Sequence, residues 1–321
     1  MLRLISVLLC SLLLFTCSSE TKHFQGTKIA IMAGGSQDNF FAKVIGKGAS
    51  DAAKDLGVDL QLYWSSWNTE TMQIQFKEAI DSHPDGIAVM GHPGSQKMAP
   101  FVAEALRKGI LVTSLNVDMP ELEAQYQSDG FGYIGQDVNM SGHRLASQAI
   151  TRFHIGSKTL VGVIGVKNIP RRGQRTLGIL DELMAKGIHV EYVDCSSESA
   201  NVPALYEKLK GVLSRPPNWK VIIDDVNTDV FIQAYSDSNS TPDQFKCAVF
   251  DMSPNVMSAL KNGIVDLALD QQPYIQGYFA VLQLCLSKYY AISGLHIYTD
   301  ASFLEKESIS NIEELVKAGI R

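Results

Sequence analysis

From residue 27 onward, short apolar runs alternate with longer amphipathic stretches, and this alternation constrains the fold more than any other feature of the chain. Runs such as Ile29–Met32 and Gly86–Met90 have the length of buried strands, whereas stretches such as Thr69–Ser82 have helical spacing. Repeated strand–helix alternation predicts a parallel sheet with helices on both faces. The chain is therefore predicted to be an α/β protein.

The alternation is interrupted at Pro120–Gly132 and then resumes with a predicted helix at Val138–Phe153 and a predicted strand at Thr159–Ile164. The chain has 321 residues, 45% of them hydrophobic, which is enough for a large core and for two domains. We therefore predict two similar halves that join near residue 132, each of them a doubly wound parallel sheet.

The N-terminal segment has the pattern of a targeting signal and is excluded from the predicted fold. Arg3 precedes the apolar stretch Leu4–Phe15, which has the length of a signal-peptide core and is too short to span a membrane as a mature helix. Cys17 lies where a lipoprotein signal places its acceptor cysteine. We predict a signal peptide at 1–17, lipidation of Cys17 and a polar tether at 18–26. The alternative is an ordinary cleaved signal in which Cys17 is incidental.

Charge and cysteine content narrow the possible partners. The net charge is −6 and the sequence has no basic stripe, so nucleic acid is not an expected partner. After the N-terminal segment the chain has three cysteines that lie far apart, Cys195, Cys247 and Cys285. This odd number argues against a disulfide framework and favours buried thiols, with a single bridge between two of them left open.

Polar and aromatic side chains follow almost every predicted strand. In open α/β sheets, ligands bind beyond the carboxyl ends of the strands, so these residues are the candidates for a binding site. They are Asp38, Asn39, Phe40, Phe41, Trp64, Trp67, His92, Asn116, Asp118, Arg171, Arg172, Arg175, Asp224, Asp225, Asn227, Asp251, Asp270, Gln271 and Gln272.

This set of side chains suits a small, neutral, hydroxyl-rich ligand. Asp, Asn, Gln and Arg each present a planar fork that can meet two neighbouring hydroxyl groups. An aromatic ring can cover the C–H face of a sugar by apolar contact. The pattern therefore favours a monosaccharide or polyol, bound without a metal or a nucleophile.

Motifs for catalysis are missing from the sequence. It has neither G-x-S-x-G nor a Walker loop, and Gly162-Val163-Ile164-Gly165 lacks the spacing of G-x-G-x-x-G. The seven histidines show no H-x-x-x-H or H-E-x-x-H spacing, which argues against a zinc site. We therefore predict that the protein is not an enzyme and has no catalytic residue, metal or cofactor.

Several short segments, in their order and spacing, resemble the type I periplasmic binding proteins of the ribose/galactose-binding group, which serve ABC transporters. The resemblance covers nearly all of residues 27–315. It rests on Asp38-Asn39-Phe40-Phe41, Asp85-Gly86-Ile87-Ala88-Val89, Gly109-Ile110-Leu111-Val112, Tyr133-Ile134-Gly135-Gln136-Asp137, Arg175-Thr176-Leu177-Gly178, Asn227-Thr228-Asp229, Val249-Phe250-Asp251-Met252-Ser253-Pro254 and Asp270-Gln271-Gln272-Pro273.

The resemblance implies roles for residues of the first half. By similarity, Asp38 hydrogen-bonds sugar hydroxyls, and Phe40 and Phe41 supply stacking rings. Asn116 lies where ribose binders have an Asp, and Val117 lies where they often have an Arg. The loss of that Arg argues against a simple ribose site.

The resemblance also implies roles for four residues of the second half: Arg175, Asn227, Asp251 and Gln271 match the binding arginine, amide, acid and amide of the family. His92 lies where relatives sometimes place an amide contact. Trp64 and Trp67 are unusual for the ribose pattern and are expected to enlarge or cap the pocket. For both tryptophans, the alternative to ligand contact is packing at the protein surface.

The resemblance further implies a type I periplasmic binding fold, in which two lobes are joined by a three-strand hinge. The first lobe is predicted at residues 27–132 plus 273–294, and the second at residues 133–272 plus 295–321. Because the chain must cross between lobes where the pattern breaks, we expect hinges near Gly132–Gly135, Gln271–Pro273 and Ser293–Leu295.

The expected function is that of a monomeric, extracytoplasmic binding protein in the periplasm or at the cell surface. It would capture a monosaccharide or polyol by closing its lobes and deliver it to an ABC permease. One alternative is a sugar-sensing receptor ectodomain that feeds a signalling kinase. A second is a sugar-converting enzyme that uses Asp38 and Asp251. A LacI-type repressor would need an N-terminal helix-turn-helix, whereas this chain is predicted to begin with a signal peptide.

Overall fold

The computed structural model describes residues 23–214, 218–238, 240–241, 244–300 and 302–321. The predicted signal peptide at 1–17, Cys17 and most of the predicted tether lie outside these residues. Within the described residues, no helix is both long enough and apolar enough to cross a membrane.

The first lobe consists of a six-stranded sheet with helices on both faces. Its strands are β1 (Lys28–Met32), β2 (Asp59–Tyr63), β3 (Gly86–Met90), β4 (Leu111–Asn116), β5 (Tyr133–Gly135) and β11 (His296–Tyr298). Its helices are α1 (Phe40–Leu56), α2 (Thr69–Asp81), α3 (Ser95–Arg107), α4 (Pro120–Tyr126) and α10 (Pro273–Tyr290). The strand order is β11-β5-β4-β3-β1-β2, and all neighbouring strands are parallel.

The second lobe repeats this architecture. Its strands are β6 (Leu160–Gly165), β7 (His189–Asp194), β8 (Val221–Asp224), β9 (Lys246–Phe250), β10 (Leu267–Asp270) and β12 (Ser302–Leu304). Its helices are α5 (Val138–Arg152), α6 (Gln174–Ala185), α7 (Val202–Leu213), α8 (Thr228–Ser236), α9 (Pro254–Asn262) and α11 (Ile309–Lys317). The strand order is β12-β10-β9-β8-β6-β7, and only the edge strand β12 is antiparallel to its neighbour within this sheet. The predicted fold class is confirmed.

The chain passes from one sheet to the other three times, at residues 136–137, at residues 271–272 and between Tyr298 and Ser302. Two of the predicted lobe boundaries, at 132/133 and 294/295, lie one strand before the corresponding crossings between the sheets. The reason is that β5 and β11 pair with each other, and β5 pairs with β4, within the first sheet. Strands of three residues are too short to show a period in the sequence.

Both sheets are covered by apolar side chains on their two faces, which is why their central strands read as continuous apolar runs. All five residues of β3 are buried. In the first lobe, Ile31 and Ala88 pack on one side of the sheet, and Met32 and Ile87 pack on the other. The parallel sheets therefore sit in the middle of each lobe, with only their strand ends open to ligands.

Side-chain caps fix the starts of the helices that border the strand ends. The side chain of Asn39 accepts a hydrogen bond of 3.0 Å from the Ala42 amide at the start of α1. The side chain of Asn227 likewise accepts a bond of 3.3 Å from the Val230 amide at the start of α8. Such caps satisfy amides that have no partner inside the helix. They also fix the direction in which the chain leaves each strand.

Helices α1 and α10 pack at very short range through glycines. A Cβ atom on Gly277 would lie 2.0 Å from the carbonyl oxygen of Ile45, and one on Gly48 would lie 2.0 Å from the carbonyl oxygen of Tyr274. No side chain fits at such distances, so the two backbones approach only because both residues are glycine. This contact attaches α10, which follows the second crossing, to the first lobe.

We expect Gly277→Ala to lower the free energy of unfolding by roughly 1–3 kcal/mol, because the added methyl group overpacks the contact between α1 and α10. Urea denaturation followed by circular dichroism measures this change. Gly211→Ala is the matched control, since Gly211 lies in helix α7 with open space around its Cβ position. It should raise stability by up to about 1 kcal/mol through helix propensity. Equal effects of the two substitutions would contradict the proposed packing.

Candidate ligand-binding site

A cavity of about 470 Å³ lies between the two lobes, beyond the carboxyl ends of their parallel strands. Its size is in the range of small-molecule sites. Residues from both sheets contribute, so a ligand inside it would touch both lobes. The predicted binding residues that line the cavity are Phe40, Phe41, His92, Asn116, Arg175, Asn227, Asp251 and Gln271.

Asp38 is placed outside this cavity, which corrects the expectation that its carboxylate faces the ligand. Its side chain is exposed on the turn before α1, and the next residue, Asn39, lines the cavity instead. The cap formed by the Asn39 side chain fixes this turn. The direction of each side chain at the turn therefore follows from the helix cap.

Trp64 is also placed outside the cavity, and Trp67 lines it. The Trp64 ring packs against the first-lobe core and covers the space above Gly46. Between the two indoles the chain turns sharply, because Ser66 and Trp67 adopt left-handed backbone conformations with φ of 50° and 63°. This turn sends the two indole rings to different surroundings.

The two adjacent phenylalanines pack in different directions. Phe40 packs against the core cluster of the second lobe, whereas Phe41 packs against that of the first. The Phe41 ring centre lies 6.2 Å from that of Trp67, which lies 5.4 Å from that of His92. Phe41, Trp67 and His92 thus form an aromatic wall on the first-lobe side of the cavity.

A chain of hydrogen bonds connects polar side chains of the two lobes. Asn116, at the end of β4, donates from Nδ2 to Oε1 of Gln271 at 3.2 Å. Gln271, in the second crossing, donates in turn from Nε2 to Oδ1 of Asp251. Asn116 and Asp251 have left-handed backbones with φ of 63° and 72°, which Asn and Asp adopt more readily than most residues. These conformations direct both side chains towards the cavity.

A buried carboxylate organises the arginines on the second-lobe side. Asp225 is fully buried and accepts hydrogen bonds from Nε of Arg175 at 2.5 Å, from NH2 of Arg172 at 2.9 Å and from the Thr176 hydroxyl. The Arg175 guanidinium also lies 3.8 Å above the Phe250 ring. Because Asp225, Phe250 and Gln136 hold its side chain, Arg175 needs little ordering when it meets a ligand.

Burial and the two arginines set the pKa values of the titratable groups at the cavity. Burial acts to raise the pKa of Asp225, but the guanidinium groups of Arg172 and Arg175 outweigh it and hold this pKa below its ordinary value. Burial raises the pKa of Asp251, although Arg175 acts in the opposite direction. Burial and the two nearby guanidinium groups lower the pKa of His92 to about 4, so its ring is neutral at pH 7. Its buried Nδ1 has no hydrogen-bond partner in the described part of the chain.

An ion pair joins the lobes beside the cavity. Arg171, in the loop after β6, donates through Nε to Oδ1 of Asp118 at 2.6 Å, and its Nη2 donates to Oδ2 of the same carboxylate. Asp118 follows β4 and belongs to the first lobe. The described conformation is therefore one in which the lobes are in contact across the cleft.

Gln136 lines the cavity but was not among the predicted binding residues. Its Oε1 accepts hydrogen bonds from the Ser141 hydroxyl at 3.0 Å and from NH1 of Arg175 at 3.3 Å. Gln136 follows β5 in the first crossing, just as Gln271 follows β10 in the second. Recognition of the short strand β5 would have identified it.

Other reactive side chains are remote from the cavity or unsuited to chemistry. Within the described ranges, no group of three or more His, Cys, Asp or Glu side chains could hold a metal ion. Cys195, Cys247 and Cys285 are buried free thiols, as predicted. Burial raises the pKa of Cys195 and Cys285 to about 12, so neither thiol is activated as a nucleophile.

We expect the folded protein to lose stability between pH 6.5 and pH 4 in part through His92. The unfolded chain binds a proton at this ring below about pH 6.5, whereas the folded chain does so only near pH 4, so acid favours unfolding. At pH 4.5 the free energy of unfolding is lowered by up to about 2 kcal/mol relative to neutral pH, after allowance for the exposed part of the ring. Thermal melts of wild type and His92→Asn across this range measure it. Parallel pH profiles for the two proteins would exclude the effect.

Comparison with known proteins places this architecture among sugar binders. The family model described as "Periplasmic binding protein domain" matches residues 29–286. The xylose/arabinose-binding protein XylF of Sulfolobus acidocaldarius is 24% identical over 284 residues, which are 82% of this chain and 67% of XylF.

Two solved structures share the fold. A carbohydrate transporter protein of Acidothermus cellulolyticus 11B, in complex with myo-inositol, superimposes with a TM-score of 0.74 at 24% identity, covering 92% of this chain and 99% of its own. A chain from the structure of the XylFII–LytSN complex superimposes with a TM-score of 0.72 at 22% identity, covering 88% of this chain and 98% of its own. With the family model matching most of its length, the chain belongs to the type I periplasmic binding protein family.

Proposed function

We propose that this protein captures a monosaccharide or related polyol outside the cytoplasm by closing its two lobes, and hands it to an ABC permease. The observation that supports this most is the convergence of forked polar side chains from both lobes on one cavity. Asn116 comes from the first lobe, Arg175 and Asp251 come from the second, and Gln136 and Gln271 come from the crossings between them. A hydroxyl-rich guest would connect these groups and favour closure.

The energetics of such a site are sufficient for tight capture. A hydrogen bond to a charged group contributes about 1.5–3 kcal/mol. Five or six bonds of this kind, less the cost of bringing the lobes together, reach the roughly −8 kcal/mol of a micromolar Kd. The aromatic wall of Phe41, Trp67 and His92 would add apolar contact with the C–H face of the ring.

We further propose that Cys17 carries a lipid anchor, that the mature protein is held at a membrane and that it acts as a monomer. The support for the anchor is the sequence of the N-terminal segment, where an apolar stretch precedes Cys17 and polar residues follow it. Mass spectrometry of the mature protein would detect the acylated cysteine. A mature chain without acyl groups would leave the binding proposal untouched and end the anchor proposal.

A second candidate function is sugar sensing, in which the closed protein docks on a receptor that feeds a signalling kinase. The observation that favours it is the XylFII–LytSN complex, in which a protein of this fold is assembled with another chain. Both functions use the same cavity and differ only in the partner. Pull-down with a co-encoded permease or with a co-encoded receptor kinase separates them.

Asp251→Asn should raise the Kd for the bound sugar about 10–100-fold, because one acceptor for the ligand hydroxyls is lost. The ligand is first found by a thermal-shift screen of pentoses, hexoses and polyols, and the Kd is then measured by calorimetry. Asp38→Asn is the matched control, since Asp38 is exposed outside the cavity, and its Kd should equal that of wild type. Full affinity in Asp251→Asn would contradict the site.

The two tryptophans of the loop after β2 should respond differently to substitution by leucine. Trp67→Leu is expected to weaken sugar binding, because Trp67 lines the cavity. Trp64→Leu is expected to lower the free energy of unfolding by roughly 2 kcal/mol with little change in affinity, because the partly buried Trp64 packs against the first-lobe core. Calorimetry and chemical denaturation on each variant test this. The reverse pattern would restore the original expectation for Trp64.

A further inference from the structure

We infer that the ligand is a glycoside, with its sugar ring at one end of the cavity and a flat, apolar substituent at the other. This inference rests on the proposed function and names its substrate class. Two ends of the cavity can be distinguished. The hinge end is defined by Gln136 and Gln271, which lie in the crossings between lobes, and the far end by Thr69, Ser199 and Ala200.

The cavity is longer than a sugar ring requires. Its lining includes residues that follow β5, β4, β3, β1 and β2, which are five consecutive strands of the first sheet. In the second sheet it includes residues that follow β10, β9, β8, β6 and β7. Five strands give four spacings of about 4.8 Å, or about 19 Å across each sheet. A six-membered ring built from bonds of about 1.5 Å covers less than half of this span.

The polar groups that suit hydroxyls are concentrated at the hinge end. Arg175 reaches Gln136 at 3.3 Å, and the chain from Asn116 through Gln271 to Asp251 closes the same end. The sugar ring is therefore assigned to this half. The Trp67 ring contacts the ring of His92, which follows the middle strand β3, so the aromatic wall covers the middle of the cavity.

The far end is apolar. Val166 and Ile169 line it from the loop after β6, Val226 borders it from the loop after the middle strand β8, and Phe40 packs against the same core cluster from the opposite lobe. Ile169, Val226 and Phe40 are only partly buried, so they offer apolar surface to a ligand.

The charged groups nearest the far end already have partners. Arg172 is paired with Asp225, and Asp229 accepts a hydrogen bond of 2.7 Å from Ser253. The remaining polar groups at this end, Asn68, Thr69, Ser199 and Asn227, are uncharged, and the side-chain oxygens of Asn68 and Asn227 already accept hydrogen bonds from the Thr71 and Val230 amides. Further hydroxyl groups would find few forked partners here, whereas a flat apolar group would cover exposed apolar side chains.

The test uses calorimetry with matched ligands for each sugar that binds: the free sugar, its methyl glycoside, its 4-nitrophenyl glycoside in both anomers, and a disaccharide of the same sugar. We expect one 4-nitrophenyl glycoside to bind at least about tenfold more tightly than the free sugar, because its ring buries apolar surface at the far end. The methyl glycoside and the disaccharide should gain much less.

Two variants test whether the gain in affinity from the 4-nitrophenyl group arises at the far end of the cavity. In Ile169→Thr and in Ala200→Asp, the ratio of the affinities for the 4-nitrophenyl glycoside and the free sugar should fall towards one. Ala200 is exposed, so its substitution tests the inference even if Ile169→Thr fails to fold. A ratio that stays at the wild-type value in Ala200→Asp would overturn the assignment of the far end.

The outcomes separate this inference from the proposed function. Binding of free sugars without any gain from the aromatic group would overturn the inference and leave the proposed function in place. An equal gain from the disaccharide would overturn the apolar assignment. Failure of every sugar and every glycoside to bind would overturn both.

Discussion

Parallel pairing of the strands is the constraint on which the rest of the structure depends. Parallel strands all end at the same edge of a sheet, so the residues that follow them are brought together although they are far apart in the sequence. In this protein the two edges face each other, and side chains from Asn39 to Gln271 line one cavity. The antiparallel edge strand β12 contributes no residue to that lining.

Within this frame, burial of charge decides how the site is organised. Asp225 is costly to bury, and the cost is offset only because two arginines and a threonine satisfy its oxygens. The same bonds hold Arg175 against Phe250 and Gln136 before any ligand arrives. A ligand that meets a fixed guanidinium loses less free energy to ordering than one that meets a mobile side chain.

Most of the fold could be predicted, and eight of the ten predicted binding residues line the cavity, whereas Asp38 and Trp64 lie outside it for physical reasons. Asp38 and Asn39 are neighbours of similar chemistry, and only the helix cap decides which one turns inward. Trp64 and Trp67 are separated by a turn with left-handed backbone at Ser66, which no apolar pattern reveals. The three-residue strand β5 exists because β4 and β11 pair with it, not because of its own sequence.

By itself the sequence determined the order of the longer strands and most helices, the two-lobed α/β architecture and the set of polar residues at strand ends. These features are local, because burial along one strand or helix imposes its period on that segment. Only the tertiary structure decided which of two adjacent residues faces the cavity, where the chain crosses between lobes, and that the cavity has a polar and an apolar end. Those features depend on contacts between segments far apart in the chain, and a local sequence pattern does not specify such contacts.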